Sequence, residues 1–190
     1  MKKSLLVSIF IVLIGGFFAS SIVADDNRHD RHDNTLVKFK GGIGVIPISN
    51  VLVDATTGAV TSVNRNIVRG VNSPGQIWRI RDLDAKVKTN GDIKVGGKGL
   101  VLAGGNGIGR PPAGTTNVFA TLICGAAAPF TEHSSTLTGV PLAADGDFKI
   151  DDLLGPMPPT DCVSPVLLIR TAGSGNWFAA GIPHLDDHDR

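Results

Sequence analysis

The sequence predicts an all-β fold, a single-domain sandwich or barrel of short strands, and three observations predict it. Apolar residues alternate or run in short blocks between turn residues, and long helical periodicity is missing. The 24 glycines and 11 prolines, set among many Val, Ile and Leu, are the composition of many turns and short strands. Asn90-Gly91 and Asp145-Gly146 stand as turn dipeptides between alternating segments.

The chain opens with Met1-Lys2-Lys3, then an uncharged apolar run from Leu5 to Phe18, then small residues up to Ala24. That order is a signal peptide, residues 1–24, cleaved after Ala24, and it lies outside the fold. An uncleaved anchor is the rival reading, since about 20 apolar residues span a bilayer. Gly15-Gly16 and the small-residue exit favour cleavage. Removing 24 of the 190 residues leaves 166, enough for one domain with a sizeable core. Lys2 and Lys3 leave too, so the formal charge passes from +1 to −1. A near-neutral domain points away from nucleic acid and from anionic membranes. No second long apolar run exists, so no membrane span is expected once the leader is gone.

Residues 25–34 (DDNRHDRHDN) hold no apolar side chain and read as a disordered charged tail. Residues 184–190 read likewise, which leaves a β domain over 35–183. Strands are expected at 36–40, 43–48, 76–81, 85–89, 92–95, 100–103, 118–124, 136–142, 147–151, 166–170 and 177–180. The polar stretch 55–66 reads as a loop. Around Asn90-Gly91, a three-residue loop sets Val87 opposite Ile93 and Ala85 opposite Val95, and all four then share a face. A two-residue turn would split that face. The same logic at Asp145-Gly146 pairs Leu142 with Phe148 and Val140 with Ile150. The two hairpins lie 55 residues apart, and at that offset 63–70 falls over 118–125, which suggests an internal duplication. Residues 177–182 echo 39–43, so the first and last strands are expected to pair and seal the domain as edge or closing strands.

Cys124 and Cys162 are the two cysteines, and in an exported chain such a pair reads as one disulfide. Two buried free thiols are the alternative if the compartment lacks an oxidase.

The glycine run 104–109 superficially resembles a nucleotide loop. Such a loop must open a helix, and Arg110-Pro111-Pro112 follows instead, so an inter-strand turn is expected. His29, His32, His184 and His188 stand among aspartates at the two chain ends. Imidazole with carboxylate suits Zn²⁺, Cu²⁺ or Ni²⁺, so these four are weak metal candidates. Solvated tails are the plainer reading. His133 is the one histidine inside the domain. On a strand Ser134 would face the other way and Ser135 the same way, and no Gly-x-Ser-x-Gly elbow exists, so His133 is expected in a surface loop. Asp145, Asp147, Asp151 and Asp152 are dense enough to suggest Ca²⁺, but the turn already explains the first two. Trp78 and Trp177 are expected in the core or its rim, and so few aromatic residues weaken any reading as a sugar-stacking protein.

The phrases FKGGIGVIPIS, GKGLVLAGGNGIG, GVPLAADGDFKIDD and PVLLIRTAGSGNWFAAGIP cover nearly all of the domain. Together they resemble a group of uncharacterised exported bacterial proteins. The resemblance implies export and one compact domain, and it carries no activity. The expectation is a secreted or periplasmic, non-catalytic binding or structural module. It has no cofactor, no catalytic residue and an unidentified envelope or extracellular partner. Weak metal binding through the tails and a hydrolase centred on His133 are the alternatives.

Overall fold

A computed structural model describes residues 34–112 and 116–184. The expected signal peptide, its cleavage after Ala24, and nearly all of both expected tails lie outside the described residues. Thirteen strands and no helix make up the described chain: β1 (Thr35–Gly44), β2 (Ile48–Val53), β3 (Val60–Arg65), β4 (Trp78–Arg79), β5 (Asp82–Lys88), β6 (Asp92–Lys98), β7 (Val101–Leu102), β8 (Asn117–Cys124), β9 (Thr131–Ser134), β10 (Val140–Pro141), β11 (Phe148–Leu153), β12 (Val166–Thr171) and β13 (Trp177–His184).

Nine of these strands form one antiparallel sheet in the order β10-β8-β12-β13-β1-β5-β6-β11, with β9 beside β8 on the same edge as β10. The sheet curls into a nearly closed barrel. The gap between its two ends is crossed by an antiparallel bridge, in which Ser134 N–H donates to Gly155 O at 2.9 Å and Gly155 N–H donates to Ser134 O at 2.8 Å. Closure removes the open ladder edges that a flat sheet would expose. Side chains of one alternation fill the interior: Phe39, Ala85, Val95, Ile150, Leu122 and Ile169, each at most 2% exposed. Period-2 alternation puts the next residues of β1, β5, β6 and β11 on the outside.

The β5–β6 hairpin has the expected register, with Ala85 opposite Val95 and Val87 opposite Ile93. Gly91 closes the turn at φ 86°, a left-handed conformation that glycine adopts freely. β1 and β13 pair, Ile43 with Ala180 and Gly44 with Ala179. They lie mid-sheet rather than at an edge, because β5 and β12 extend the ladder on either side.

The second expected hairpin forms only its turn. Ala143 N–H donates to Asp147 O at 2.9 Å, but β10 then pairs with β8 and β11 with β6. The Phe148 ring fills the space over Gly97, where a Cβ would lie 2.1 Å from it. Phe148 therefore finds its room on β6 and not beside Leu142.

The duplication also fails. Residues 63–65 sit in β3, an exposed strand of a separate two-stranded sheet, whereas 118–124 form β8, buried on both faces. The stretch 55–66 is accordingly not all loop, because β3 pairs there with β2. The expected strand 43–48 ends at Gly44 in β1 and resumes as β2 at Ile48. The expected 136–142 strand shrinks to β10, and β9 was not expected at all.

A third small sheet, β4 with β7, sits against β13. Trp78 stacks on Phe178 at 4.1 Å with 14° between the rings, and both tryptophans are buried. Cys124 at the end of β8 is joined to Cys162 in the proline-rich segment after β11, with Cα atoms 5.0 Å apart. The bond ties that irregular segment to the barrel, and the chain-entropy model gives a bridge closing 38 residues about 4 kcal/mol. The glycine run 104–109 is a turned loop between β7 and β8, with Gly109 N–H donating to Leu102 O at 2.9 Å. No helix among the described residues is long and apolar enough to cross a membrane.

Candidate functional site

Nine lysines occur in the chain, and two of them are Lys2 and Lys3. The other seven all lie on the adjacent strands β1, β5, β6 and β11. They occupy the outward alternation of those strands. Lys38 stands across from Lys86, and Lys86 from Lys94. Lys98 stands across from Asp82, and Lys149 from Gly96. The cause is local. Each lysine alternates with a core residue such as Phe39, Val87, Val95 or Ile150, so burying one set turns the other to water. Neighbouring strands are about 4.8 Å apart and alternate residues along a strand about 7 Å apart, so the ammonium groups form a grid.

Five aspartates share this face: Asp82, Asp84, Asp92, Asp147 and Asp151. Asp151 pairs with Lys94 at 3.1 Å and Asp92 with Lys88 at 3.1 Å. The Asn90 side-chain amide, helped by Lys88, holds the Asp92 carboxyl below its ordinary range, so it stays ionised. Lys40, Lys98 and Lys149 make no ion pair among the described residues. Gly96 has no side chain and nothing packs over it, which leaves a shallow depression of about 770 Å³ whose charged rim is Lys86, Lys94, Lys98 and Lys149 with Asp82, Asp84 and Asp147.

A second, smaller cleft of about 410 Å³ opens on the outer face of β8, β9 and β12. Arg170 anchors it. Its Nε donates to Gly175 O at 2.8 Å, its Nη1 meets Glu132 Oε2 at 2.6 Å, and its guanidinium lies over Phe119 at 5.3 Å. Thr121 Oγ1, fully buried, shares a hydrogen bond with Ser134 Oγ at 2.9 Å. This network clamps β8, β9, β12 and the turn after β12 together. Arg69 plays the same part elsewhere. It donates to Ile123 O at 2.9 Å and to Ser164 O and lies over Phe130, and burial lowers its pKa.

His133 is not in a surface loop. It lies in β9 and is 4% exposed. Nδ1 donates to Pro156 O at 2.7 Å, which leaves Nε2 to accept from Thr131 Oγ1 at 3.2 Å. Pairing with Leu122 turns His133 to the barrel interior, while Ser134, across from Thr121, faces out. Ser135 is also buried, and its Oγ accepts from Ala120 N–H at 3.0 Å. The hydroxyls and the imidazole are therefore engaged in holding backbone and strand ends, and they do not form a nucleophile–base pair.

Of the four metal candidates, His29, His32 and His188 lie outside the described residues. His184 is not in a tail: it ends β13, exposed, across from Lys38. At the other end Asn34, also expected in a tail, accepts through its carbonyl from Thr89 N–H at 2.8 Å. Among the described residues no three His, Cys, Asp or Glu side chains converge on a metal position. Asp145 and Asp147 serve the turn. Asp145 Oδ1 accepts from Asp147 N–H at 3.1 Å, and Asp147 Oδ1 from Gly99 N–H at 2.8 Å. Asp152 caps Thr136 N–H at 2.8 Å.

The sequence reading missed the lysine face because it weighed net charge, and a near-neutral sum hides segregation. The signal was present as Lys-x-Lys at 38–40 and 86–88, each inside an alternating strand. The Arg170–Glu132 pair had no local signal, since 38 residues separate the partners.

Comparison with protein families, with curated proteins and with solved structures finds no match to this chain.

Proposed function

We propose that the protein is an exported, non-catalytic binding module whose lysine face holds an acidic polysaccharide of the cell envelope or surroundings. The observation that carries this reading is the placement of all seven lysines beyond the leader on one side of one sheet. An extended, flexible chain with spaced carboxylates suits a grid of ammonium groups interrupted by aspartates. A duplex presents denser charge, which Asp82, Asp84, Asp92 and Asp151 would repel. Recognition by charge also needs no aromatic platform, in keeping with the few aromatic residues. The leader pattern of residues 1–24 supports export, and the Cys124–Cys162 bridge suits an oxidising compartment. Membership in the group of exported bacterial proteins belongs to this proposal and rests on the four phrases quoted above.

The test is retention of the protein, taken from its exported fraction, on immobilised polygalacturonate against a neutral glucan. The wild type should bind the polyuronate and elute as salt rises. Each lysine at an anionic surface contributes about 1 kcal/mol, so Lys40→Gln with Lys98→Gln and Lys149→Gln should weaken binding on the order of 100-fold. Equal retention on both matrices, or a triple variant that binds unchanged, sinks the reading. Duplex DNA outcompeting the polyuronate would reassign the face to nucleic acid. A chain found inside the cell with Met1 intact would remove the export half.

A further inference from the structure

One row of the lysine face is more basic than the rest, and it starts where β13 ends. By register His184 stands opposite Lys38, Lys38 opposite Lys86, Lys86 opposite Lys94, and Lys94 opposite Asp151. Residues directly opposite share a face, so these five side chains form one line across β13, β1, β5, β6 and β11. The next row along the strands runs Lys40, Asp84, Gly96 and Lys149, and there the two ammonium groups are separated by a carboxylate and a gap. In the first row three ammonium groups follow one another at about 4.8 Å and repel. Asp151, which meets Lys94 at 3.1 Å, is the only carboxylate that register puts in that line among the described residues.

Past His184 the chain continues as Leu185-Asp186-Asp187-His188-Asp189-Arg190, with three carboxylates against one guanidinium. An extended chain covers about 3.3 Å per residue, so Asp186 can reach about 7 Å from His184 and Asp189 about 17 Å. On the strand spacing, Lys38, Lys86 and Lys94 lie about 5, 10 and 14 Å from β13. The three carboxylates therefore have the reach of the three ammonium groups. A segment tethered at the start of the row also meets it at an effective concentration on the order of millimolar, which a foreign anion has to match.

We infer that residues 185–190 lie along the row from Lys38 to Lys94 and occupy it as the protein's own acidic ligand. Charge complementarity and reach select this segment, and its aspartates offset the repulsion that the register builds into the row. An acidic polysaccharide then gains this part of the face only by displacing the segment, and it first meets Lys40, Lys98 and Lys149. That competition rests on the lysine face being the binding surface proposed above, whereas the docking of the segment does not.

The experiment is carbodiimide cross-linking of the protein as its own cell exports it, at low salt, followed by peptide mass spectrometry. The reagent takes up the water lost as a carboxylate and an amine join in an amide, and it leaves no spacer, so it links only groups in contact. A mixture of isotopically light and heavy protein tells links within a chain from links between chains. Links within one chain from Asp186, Asp187 or Asp189 to Lys38, Lys86 or Lys94 are expected, and they should be lost at about 1 M salt. No such link, links spread evenly over all seven lysines, or links only between chains overturn the inference. Alongside, Asp186→Asn/Asp187→Asn/Asp189→Asn should bind polygalacturonate about tenfold more tightly than the wild type, because three exposed ion pairs no longer compete. A variant that binds no tighter than a binding wild type overturns the competition. Links in the row, with polygalacturonate bound by neither protein, leave the docking standing and sink the polysaccharide reading instead.

Discussion

The β2–β3 and β5–β6 hairpins are similar in length and both are antiparallel, yet they end in opposite conditions. In β5–β6 the apolar residues Leu83, Ala85, Val87, Ile93 and Val95 are each at most 2% exposed. In β2–β3 the apolar residues are all exposed. The apolar residue types are much the same, so composition does not explain the difference. What differs is the neighbour. β5 and β6 lie between β1 and β11 in a sheet that curls over its own inner face, whereas among the described residues β2 and β3 pair only with each other. A hairpin is a way for a chain to turn back on itself, and a barrel position is what makes it bury anything.

That comparison can be broken most easily at Ile93. Ile93→Ala removes a fully buried side chain and should cost about 2–5 kcal/mol. Leu52→Ala, on the polar face of β2–β3, should change stability by no more than about 0.5 kcal/mol. Urea denaturation followed by circular dichroism measures both. Comparable losses would mean that the hairpin is as well packed as the barrel.

Two consecutive glycines sharpen the comparison within one strand. Gly97 faces inward, and Gly97→Ala drives a methyl into the Phe148 ring, which should cost about 1–3 kcal/mol. Gly96 faces outward with open space above it, so Gly96→Ala should be neutral or mildly stabilising. Reversal of that order would place the inner and outer faces of β6 the wrong way round.

The smallest effect is at Asp152, just before the end of β11. The Thr136 backbone N–H, opposed in part by burial, holds its carboxyl below the ordinary range. A depressed folded pKa gives stability that is fully present above the unfolded value, about 3.9, and is lost as pH falls through the lower folded value. The group is largely solvated, so the loss should stay under about 1 kcal/mol. Between pH 5 and pH 2.5 the wild type should lose more stability than Asp152→Asn. Equal losses would remove Thr136 as the cause.

Charge makes the same point as burial. A net formal charge near zero pointed away from nucleic acid and anionic membranes, yet the lysines are concentrated. Seven lysines lie on four neighbouring strands, with the aspartates Asp82, Asp84, Asp92, Asp147 and Asp151 set among them. A sum over the chain discards position, and a partner meets position.

The sequence by itself determined the all-β class, the Cys124–Cys162 bridge, the turn at Gly91 and the register of β5–β6. It also placed 177–182 beside 39–43 as paired strands. Each of these rests on short-range chemistry or on a rule with few solutions: a period of two, a left-handed glycine, one possible cysteine partner. Only the tertiary structure decided that β11 leaves β10 for β6, that β1 and β13 lie mid-sheet, and that His133 turns inward. It also decided that β2–β3 is exposed among the described residues and that the lysines share one face. Those outcomes depend on which strands meet across long stretches of chain. There, competing pairings differ by the fit of single side chains, as Phe148 over Gly97 shows.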